Sequence, residues 1–281
     1  MIGIVGGTGL YRMEGLEVTH TSEIDTPFGR PSGPLMLGRL AGREIAFLAR
    51  HGLNHDLLPT EINFRANIWA LKSVGVRTII GASAVGSLRQ EIRPGDLALP
   101  SQYLDFTKGL RAASFFGRGL VAHVSTAQPT CAHTAALIAR VADSIGQPLH
   151  RDKTYACVEG PRLGTRAESL WLRATGADLV GMTNVPEAFL ALEAQMGYCV
   201  ITVATDYDCW LDDTSQHVSV EQVMTQFKES LGRVQRLIAG VVAEYVEDES
   251  RPCRQALRAA VVTPRPQMTA EQKKILDFLA I

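Results

Sequence analysis

Residues 179–210 carry the stretch that decides the fold, LVGMTNVPEAFLALEAQMGYCVITVATDYDCW. Its second half, 198–205, is a short apolar run containing valine, isoleucine and threonine, which predicts a buried strand. The apolar run 177–180 predicts a second strand, and 188–194 predicts the helix that connects the two. Strands and helices alternate in the same way along the rest of the chain, so the sequence predicts an α/β domain.

Two carboxylates follow the strand 198–205 directly, at Asp206 and Asp208. If the backbone stays extended, side chains at i and i+2 point the same way, and ligands of open α/β sheets bind at the carboxyl ends of strands. Met182 and Thr183 follow the neighbouring strand and would lie at the same edge. The alternative is a turn in which the aspartates bond local amides.

Composition limits the kinds of partner. The chain has 281 residues, 46% of them hydrophobic and 20% charged, with a net charge of −1 and a pI near 6.7. These values predict a folded core in one large domain or two small ones. A nucleic-acid or membrane-surface partner would normally leave a basic stripe, and lysine and arginine form no run longer than two. We therefore expect neither partner.

The cysteines and the N-terminus bear on the compartment. Five cysteines without metal-ligand spacing, most of them within apolar runs, predict small core residues in a reducing cytoplasm. Cys209, beside Asp208, is the one candidate for a reactive thiol. The chain begins directly with a strand pattern and has no apolar stretch near 18 residues, so we expect neither a signal peptide nor a membrane span.

A glycine-rich loop, Gly6-Gly7-Thr8-Gly9, follows the apolar run at the N-terminus. Glycines after a strand let backbone amides converge on an anion, with a threonine hydroxyl as a further donor. A dinucleotide fingerprint would need a third glycine where Arg12 stands and a long helix after it. The loop is therefore interpreted as a phosphate contact, with a nicotinamide site as the weaker alternative.

Further polar groups follow other predicted strands. Arg50 and His51 end the strand 42–48 and form a candidate anion clamp, since guanidinium groups match phosphate oxygens; a solvated arginine and a capping histidine are the alternative. The small residues 81–87 predict a loop that a ligand can approach closely. Glu159, after the strand 152–158, could grip ligand hydroxyls or cap the next helix.

Taken in order, the motifs resemble those of the 5'-methylthioadenosine phosphorylases, within the trimeric purine nucleoside phosphorylases. The resemblance covers residues 2 to about 245 and rests on IGIVGGTGL, DTPFGRPS, LARHG, NFRANIWALK, AVGSLRQEIRPGD, VEGPR, RAES, GMTNVPEA and ATDYDCW. It implies a single α/β domain over 1–245 with a central mixed, partly barrel-like sheet flanked by helices. The tail 246–281 carries a short predicted helix, 269–279, which the resemblance allows to pack on a neighbouring subunit.

The resemblance also implies the reaction. Inorganic phosphate attacks C1' of 5'-methylthioadenosine and releases adenine and 5-methylthioribose 1-phosphate. No metal and no organic cofactor is expected, phosphate being a co-substrate. The partners implied are a purine nucleoside, phosphate and further copies of the chain, as a homotrimer or a dimer of trimers.

Family roles can be carried over position by position. Phosphate would be held by Thr8, Arg50, His51, Ser83, Ala84 and Thr183. The catalytic pair would be Asp206 at purine N7 and Asp208 near the 6-amino group. The remaining substrate contacts would be Met182 against the sugar, Leu163 beside the base, Val220, Val223 and Met224 around the 5' end, and His123 from a neighbouring subunit.

Physical reasoning agrees with the role of Asp206. Cleavage builds negative charge on the departing base, which a proton at N7 neutralises. A carboxyl group can supply that proton only if it is protonated, so we predict a raised pKa for Asp206, caused by the apolar strand and by repulsion from Asp208. An aspartate accepts from the 6-amino group of adenine but repels a 6-oxo group, which favours adenine.

Two regions of the sequence leave the identity of the substrate undecided. Apolar Val220 stands where related ribonucleoside enzymes place a histidine for the 5'-hydroxyl, which favours a methylthio group; His217 lies nearby, and a register slip would bring it there instead. Leu163 and Gly164 replace the phenylalanine and serine of the eukaryotic pattern, so stacking on the base must be weaker or supplied by another segment, which loosens the preference for adenine.

Three other functions stay open from the sequence. One is a phosphorylase for 5'-methylthioinosine or other purine nucleosides, which the released base would distinguish. A second is a nicotinamide-dependent reductase using the GGTG loop, which would bind a dinucleotide and need no phosphate. The third is a nucleoside-binding protein that forms no product.

Overall fold

The computed structural model describes residues 1–7, 9, 10 and 13–280. Within them the strands are β1 Ile2–Gly6, β2 Glu17–Ser22, β3 Leu35–Leu40, β4 Arg43–Ala49, β5 Thr78–Ser87, β6 Leu97–Phe106, β7 Leu149–Val158, β8 Leu179–Gly181 and β9 Gly197–Asp206. The α-helices are α1 Phe64–Ser73, α2 Ala132–Ser144, α3 Arg166–Ala174, α4 Asn184–Glu193, α5 Val220–Glu244 and α6 Ala270–Ala280.

All of these strands belong to one mixed sheet, in the order β2-β3-β4-β1-β5-β8-β7-β6-β9, and β9 pairs back onto β5. That last pairing closes β5, β8, β7, β6 and β9 into a five-stranded barrel, from which β1, β4, β3 and β2 extend as an open wing. The predicted α/β fold with a mixed, partly barrel-like sheet is confirmed.

Strand β5 is the seam between the barrel and the wing. Its first half pairs with β1, its end pairs with β8, and β9 runs parallel along the other edge from Thr78↔Gly197 to Gly86↔Asp206. The prediction that 81–87 form a loop is therefore wrong. Small residues are needed there because the strand is crowded: a Cβ on Gly81 would lie 3.2 Å from Arg50 Nη2, and one on Gly86 3.1 Å from Asp206 Oδ1.

Other boundaries also differ from the sequence patterns. β6 continues to Phe106, because its pairing with β7 extends that far. β2 and β3 were not predicted. β2 is an edge strand with mostly exposed, polar side chains, so it carries little of the apolar signal by which strands are recognised.

Helices cover the sheet on both sides. α2 and α5 pack against the barrel strand β9, and α1 packs against α4 over the other face. The C-terminal helix α6 lies on this chain's own α1, where Phe278 stacks on Trp69 with ring centroids 3.8 Å apart. Trp69 is buried and belongs to the core. None of the helices in the described ranges is both long and apolar enough to cross a membrane.

The short strand β8 fits the barrel only because Gly181 lacks a side chain. A Cβ at Gly181 would lie 2.1 Å from Oη and 2.7 Å from Cζ of Tyr155, which is fully buried on β7. Since Met182 and Thr183 follow directly, this close approach also sets where two predicted site residues emerge from the barrel.

We predict that Gly181→Ala destabilises the fold, because a buried tyrosine ring cannot move aside without disturbing its neighbours. Overpacking of this kind costs about 1–3 kcal/mol of unfolding free energy. Urea unfolding of the variant against the parent protein measures it.

Gly33→Ala is the matched control. A Cβ there meets nothing within 4 Å and the backbone conformation suits any residue, so the unfolding free energy should stay unchanged within error. If the two variants were equally stable, the packing of the Tyr155 ring would not require a glycine at position 181.

Candidate active site

A cavity of about 760 Å³ opens where β5, β8 and β9 end. Most of the residues singled out from the sequence line it together: Arg50, His51, Ser83, Ala84, Leu163, Met182, Thr183, Asp206, Asp208, Val220, Val223 and Met224. Thr8 lies outside the described residues, although Gly7 and Gly9 on either side of it line the cavity. His123 is exposed elsewhere, on a segment whose backbone pairs with Ala260. The roles assigned to these residues stay predictions.

Arg50 lies beneath one end of the cavity and is 2% exposed. The sequence suggested that its guanidinium fork would clamp an anion directly. Instead, Nε and Nη2 donate to the two carboxylate oxygens of Glu187, both at 2.7 Å, and Nη1 donates to the carbonyl of Ala82 at 2.9 Å. The fork is thus occupied by a protein carboxylate, and one N–H of Nη1 remains for a ligand.

Glu187 is a residue that sequence reasoning missed. It is 1% exposed near the start of α4 and also accepts the hydroxyl of Tyr198 at 2.8 Å. Burial alone would discharge Arg50, but attraction to the Glu187 carboxylate outweighs it and raises the Arg50 pKa. A signal was present: a glutamate inside the apolar segment VPEAFLALE needs a buried partner, because buried charges are almost always paired.

His51 lies beside Arg50 and stacks on His55, with ring centroids 4.5 Å apart. Its Nδ1 lies 2.9 Å from the carbonyl oxygen of Leu57. Burial, with the positive charge of Arg50 and the neighbouring His55, lowers the His51 pKa to about 4. The ring is therefore neutral at pH 7; a carbonyl can only accept, so Nδ1 carries the proton and Nε2 is an acceptor.

Ser83 and Thr183 face the same cavity from β5 and from the end of β8. Both are buried, and the Ser83 hydroxyl lies 3.4 Å from Oδ1 of Asn184, the first residue of α4. The backbone N–H of Thr183 donates to Tyr155 Oη at 3.4 Å. Because both contacts are long, the Ser83 hydroxyl and the Thr183 N–H remain able to form hydrogen bonds with a ligand.

Asp206 ends β9 and is 2% exposed. Its Oδ1 accepts the backbone N–H of Asp208 at 2.7 Å, so the local turn considered from the sequence does form. The chain does not stay extended, because Asp208 has a φ of +53°, and the two carboxylates do not point the same way by strand alternation. Both nevertheless line the cavity.

The other oxygen of Asp206 bears on its protonation. Thr205 Oγ1 lies 2.6 Å from Asp206 Oδ2 and 3.2 Å from the carbonyl of Val85. The Thr205 hydroxyl donates to Asp206 Oδ2, and this hydrogen bond to the charged form opposes the rise in the Asp206 pKa. Burial, with a smaller contribution from Asp208, raises the Asp206 pKa to about 6, as predicted.

Asp208 is 7% exposed, and burial raises its pKa as well. Gly164 lies against it: a Cβ there would be 3.8 Å from Asp208 Oδ2. Burial and the charge of Asp208 raise the Cys209 pKa to about 11, which opposes the alternative of a reactive thiol. Leu163 and Gly164 line the cavity beside Asp208, with no aromatic ring from that segment.

The opposite end is apolar and open. Val220 and Met224, at the start of α5, line the cavity while their side chains are 68% and 63% exposed. His217 turns away, its Nε2 lying 2.9 Å from the carbonyl oxygen of Leu211. In this register it is Val220, rather than His217, that forms the wall.

Glu159 does neither of the things considered from the sequence. It is buried and pairs with Arg111, whose Nε donates to Oε1 at 2.8 Å. The next helix, α3, is capped instead by Thr165 with Glu168. Within the described part of the chain, no three His, Cys, Asp or Glu side chains come together to hold a metal ion.

Comparison with known proteins identifies the family. The model of the phosphorylase superfamily matches residues 1–246. The S-methyl-5'-thioadenosine phosphorylase of Geobacter sulfurreducens is 45% identical over 99% of this chain and 97% of its own, and that of Nitrosopumilus maritimus is 45% identical over 92% and 97%.

Solved structures agree. The crystal structure of a methylthioadenosine phosphorylase from an antarctic soil metagenomic library has a TM-score of 0.92 at 43% identity, covering 99% of this chain and 98% of that one. The methylthioadenosine phosphorylase of Schistosoma mansoni, in complex with adenine, has a TM-score of 0.84 at 31% identity over 98% and 97%. This chain therefore belongs to the phosphorylase superfamily and, within it, to the family of the S-methyl-5'-thioadenosine phosphorylases.

Proposed function

We propose that this protein cleaves 5'-methylthioadenosine with inorganic phosphate, giving adenine and 5-methylthioribose 1-phosphate. As a member of its family it is a pentosyltransferase of the purine nucleoside phosphorylase type. The observation that carries the proposal is one cavity that joins a cluster of anion-binding groups to a buried carboxyl group of raised pKa. Phosphorolysis needs those two features on opposite sides of a glycosidic bond.

The phosphate end is supported by groups on four segments: the glycine loop at Gly7 and Gly9, His51, Ser83 with Ala84, and Thr183. Arg50 contributes one N–H and a positive potential that Glu187 largely balances. His51 is neutral, so its Nε2 can accept a hydrogen bond from the P–OH group of phosphate. The nucleophile is thereby held by donors and by one acceptor, which fixes its orientation.

The acid end is supported by Asp206. As the bond to C1' breaks, electron density moves to the purine, and Asp206 transfers its proton to N7. Burial raises the pKa of Asp206 to about 6, which favours the protonated form that this transfer needs. Asp208 accepts from the 6-amino group, directly or through water, so the pair favours adenine over a 6-oxopurine.

The open 5' end supports both the methylthio group and an oligomer. Val220 and Met224 suit an apolar substituent, and they would leave a 5'-hydroxyl without a partner. Their exposure in the single chain fits a site that a neighbouring copy covers, with His123 of that copy as the contacting residue, in a homotrimer or a dimer of trimers.

The rest of the proposal follows from this chemistry. A proton donor and bound phosphate supply everything that the reaction consumes, so we propose no metal or organic cofactor. We also propose a cytoplasmic location, in keeping with buried free cysteines. The division into a catalytic unit, 1–245, and a tail, 246–281, stays a prediction.

The function predicts phosphate-dependent release of adenine. Incubation with 5'-methylthioadenosine should give adenine by chromatography only when phosphate is present. The same assay with 5'-methylthioinosine and adenosine should give less base. Hypoxanthine as the preferred product would replace this proposal with the 5'-methylthioinosine alternative, and base release without phosphate would exclude phosphorolysis.

Asp206→Ala should lower kcat, because the departing base would leave without its proton. A general acid contributes ~10²- to 10⁴-fold in rate. Steady-state kinetics with saturating phosphate measures the loss.

Tyr207→Phe is the neighbouring control. Its hydroxyl donates to the carbonyl of Gln90 and does not line the cavity, so kcat should be retained. Near-normal turnover in Asp206→Ala would remove Asp206 from the chemistry.

The pKa of Asp206 predicts how rate depends on pH. Its folded pKa is raised to about 6, so the reactive protonated form is present below that pH and is lost as pH rises through it. We expect kcat/KM for 5'-methylthioadenosine to fall with rising pH from about 6, and from a higher pH once phosphate is bound, since a nearby anion disfavours ionisation.

Measuring kcat/KM from pH 5 to 9 tests this fall, which appears as the descending limb of the pH–rate profile. Asp206→Asn, which has no carboxyl to titrate, should lack it. A limb that persists at the same pH in that variant would belong to another group.

A further inference from the structure

Arg111 is a second buried arginine, and no step proposed above uses it. It is 6% exposed and lies in the loop between β6 and α2. Each of its five N–H donors has an acceptor. Nε donates to Glu159 Oε1 at 2.8 Å, Nη2 donates to the carbonyls of Glu159 and Val158 at 2.8 and 3.4 Å, and Nη1 donates to the carbonyls of Met182 and Val185 at 2.6 and 2.7 Å.

These contacts join three segments that meet only in the folded chain. One is the loop that carries Arg111, the second is the end of β7 at Glu159, and the third is the turn from β8 into α4. Glu159 also accepts the backbone N–H of Lys108, which fixes the first segment to the second. The second and third segments touch again where a Cβ on Gly160 would lie 2.5 Å from Met182 Sδ.

The turn held by Nη1 is the one that presents Met182 and Thr183 to the cavity. The carbonyl of Met182 and the N–H of Thr183 belong to one planar peptide unit. Fixing the direction of that carbonyl therefore fixes the direction of the Thr183 N–H and, with it, the placement of the Thr183 hydroxyl. The Val185 carbonyl, further along the same turn, is held in the same way.

We propose that Arg111 is the positioning residue for the phosphate-binding turn, and that it sets the affinity for phosphate through the orientation of Thr183. The inference rests on the proposed function. Arg111 does not line the cavity. Its effect passes through the two carbonyls.

Arg254 offers a matched comparison within the same chain. It too is 6% exposed, pairs with one glutamate, Glu247, and donates to two backbone carbonyls, those of Arg77 and Gln195. It also bonds Thr78 Oγ1 at the start of β5, five residues before Ser83. At ~3.3 Å per residue that is ~16 Å along the strand. Its structural demands resemble those of Arg111, but it lies at the other end of the barrel.

The experiment compares Arg111→Lys with Arg254→Lys. Each variant keeps a positive charge beside its glutamate and loses the planar fork that reaches two carbonyls at once. For Arg111→Lys we expect KM for phosphate to rise about tenfold or more, since a displacement of 1 Å can cost ~10²-fold. KM for 5'-methylthioadenosine should rise less, because the apolar contact of Met182 tolerates a small rotation.

For Arg254→Lys both KM values should stay within about twofold, since sites without shared partners rarely couple. Thermal unfolding of both variants establishes that their losses of stability are comparable. Unchanged phosphate KM in Arg111→Lys overturns the proposal, and so does an equal rise in both variants.

If Arg111→Lys does not fold, the same experiment is done with Glu159→Gln. Glutamine has one acceptor oxygen in place of two, so the contacts to Arg111 Nε and to the Lys108 N–H cannot both form, while the four carbonyl contacts of Arg111 remain. A smaller rise in phosphate KM than in Arg111→Lys is expected, and an unchanged value contradicts the proposal. If the parent protein shows no phosphorolysis, the proposed function fails. Hydrogen exchange of the 182–187 amides, faster in Arg111→Lys than in Arg254→Lys, then still decides the positioning role.

Discussion

The parallel pairing of β5 with β9 is the constraint on which the rest of the structure depends. It runs from Thr78↔Gly197 to Gly86↔Asp206 and closes the barrel. The same pairing brings Ser83 and Ala84 on one strand beside the strand that ends in Asp206. The distance between the anion-binding groups and the acid is therefore set by backbone hydrogen bonds rather than by flexible loops. A register shift of one residue would turn the side chains to the opposite face.

A buried ion pair lies beneath the cavity at one end of that seam. Arg50, Glu187 and Tyr198 form a hydrogen-bonded group beneath the cavity, in which each charge is matched and the tyrosine hydroxyl satisfies one carboxylate oxygen. Removing one partner of such a pair costs ~3–5 kcal/mol, because the other charge is left buried and unpaired. The arrangement holds Arg50 in place without a ligand, so the remaining N–H of Arg50 would need no reorganisation in the proposed binding of phosphate.

The sequence predicted the α/β fold class and most of the residues that line the cavity, but it missed some strands and some buried contacts. Asp206 and its raised pKa followed from a carboxylate at the mouth of an apolar strand, and most of the residues carried over from the motifs do meet in one cavity. The small residues 81–87 were mistaken for a loop, because the pattern of a crowded strand resembles that of a flexible segment. Strand β2 carried no apolar signal. The roles of Arg111 and Glu187 were missed for one reason. Their partners are 48 and 137 residues away along the chain, and no local sequence pattern shows that such distant residues pair.

Arg50 and Arg111 show how this barrel makes a rigid site from irregular backbone. In both arginines most N–H groups donate to protein carboxylates and carbonyls next to the cavity, so neither guanidinium group is free to bind a ligand with two parallel hydrogen bonds. The buried carbonyls at Ala82, Met182 and Val185 lie next to the cavity, and each would be costly without a donor. A planar cation with five donors satisfies several of them at once, which a lysine cannot do. The two arginines thus act mainly by fixing the directions of backbone carbonyls next to the cavity.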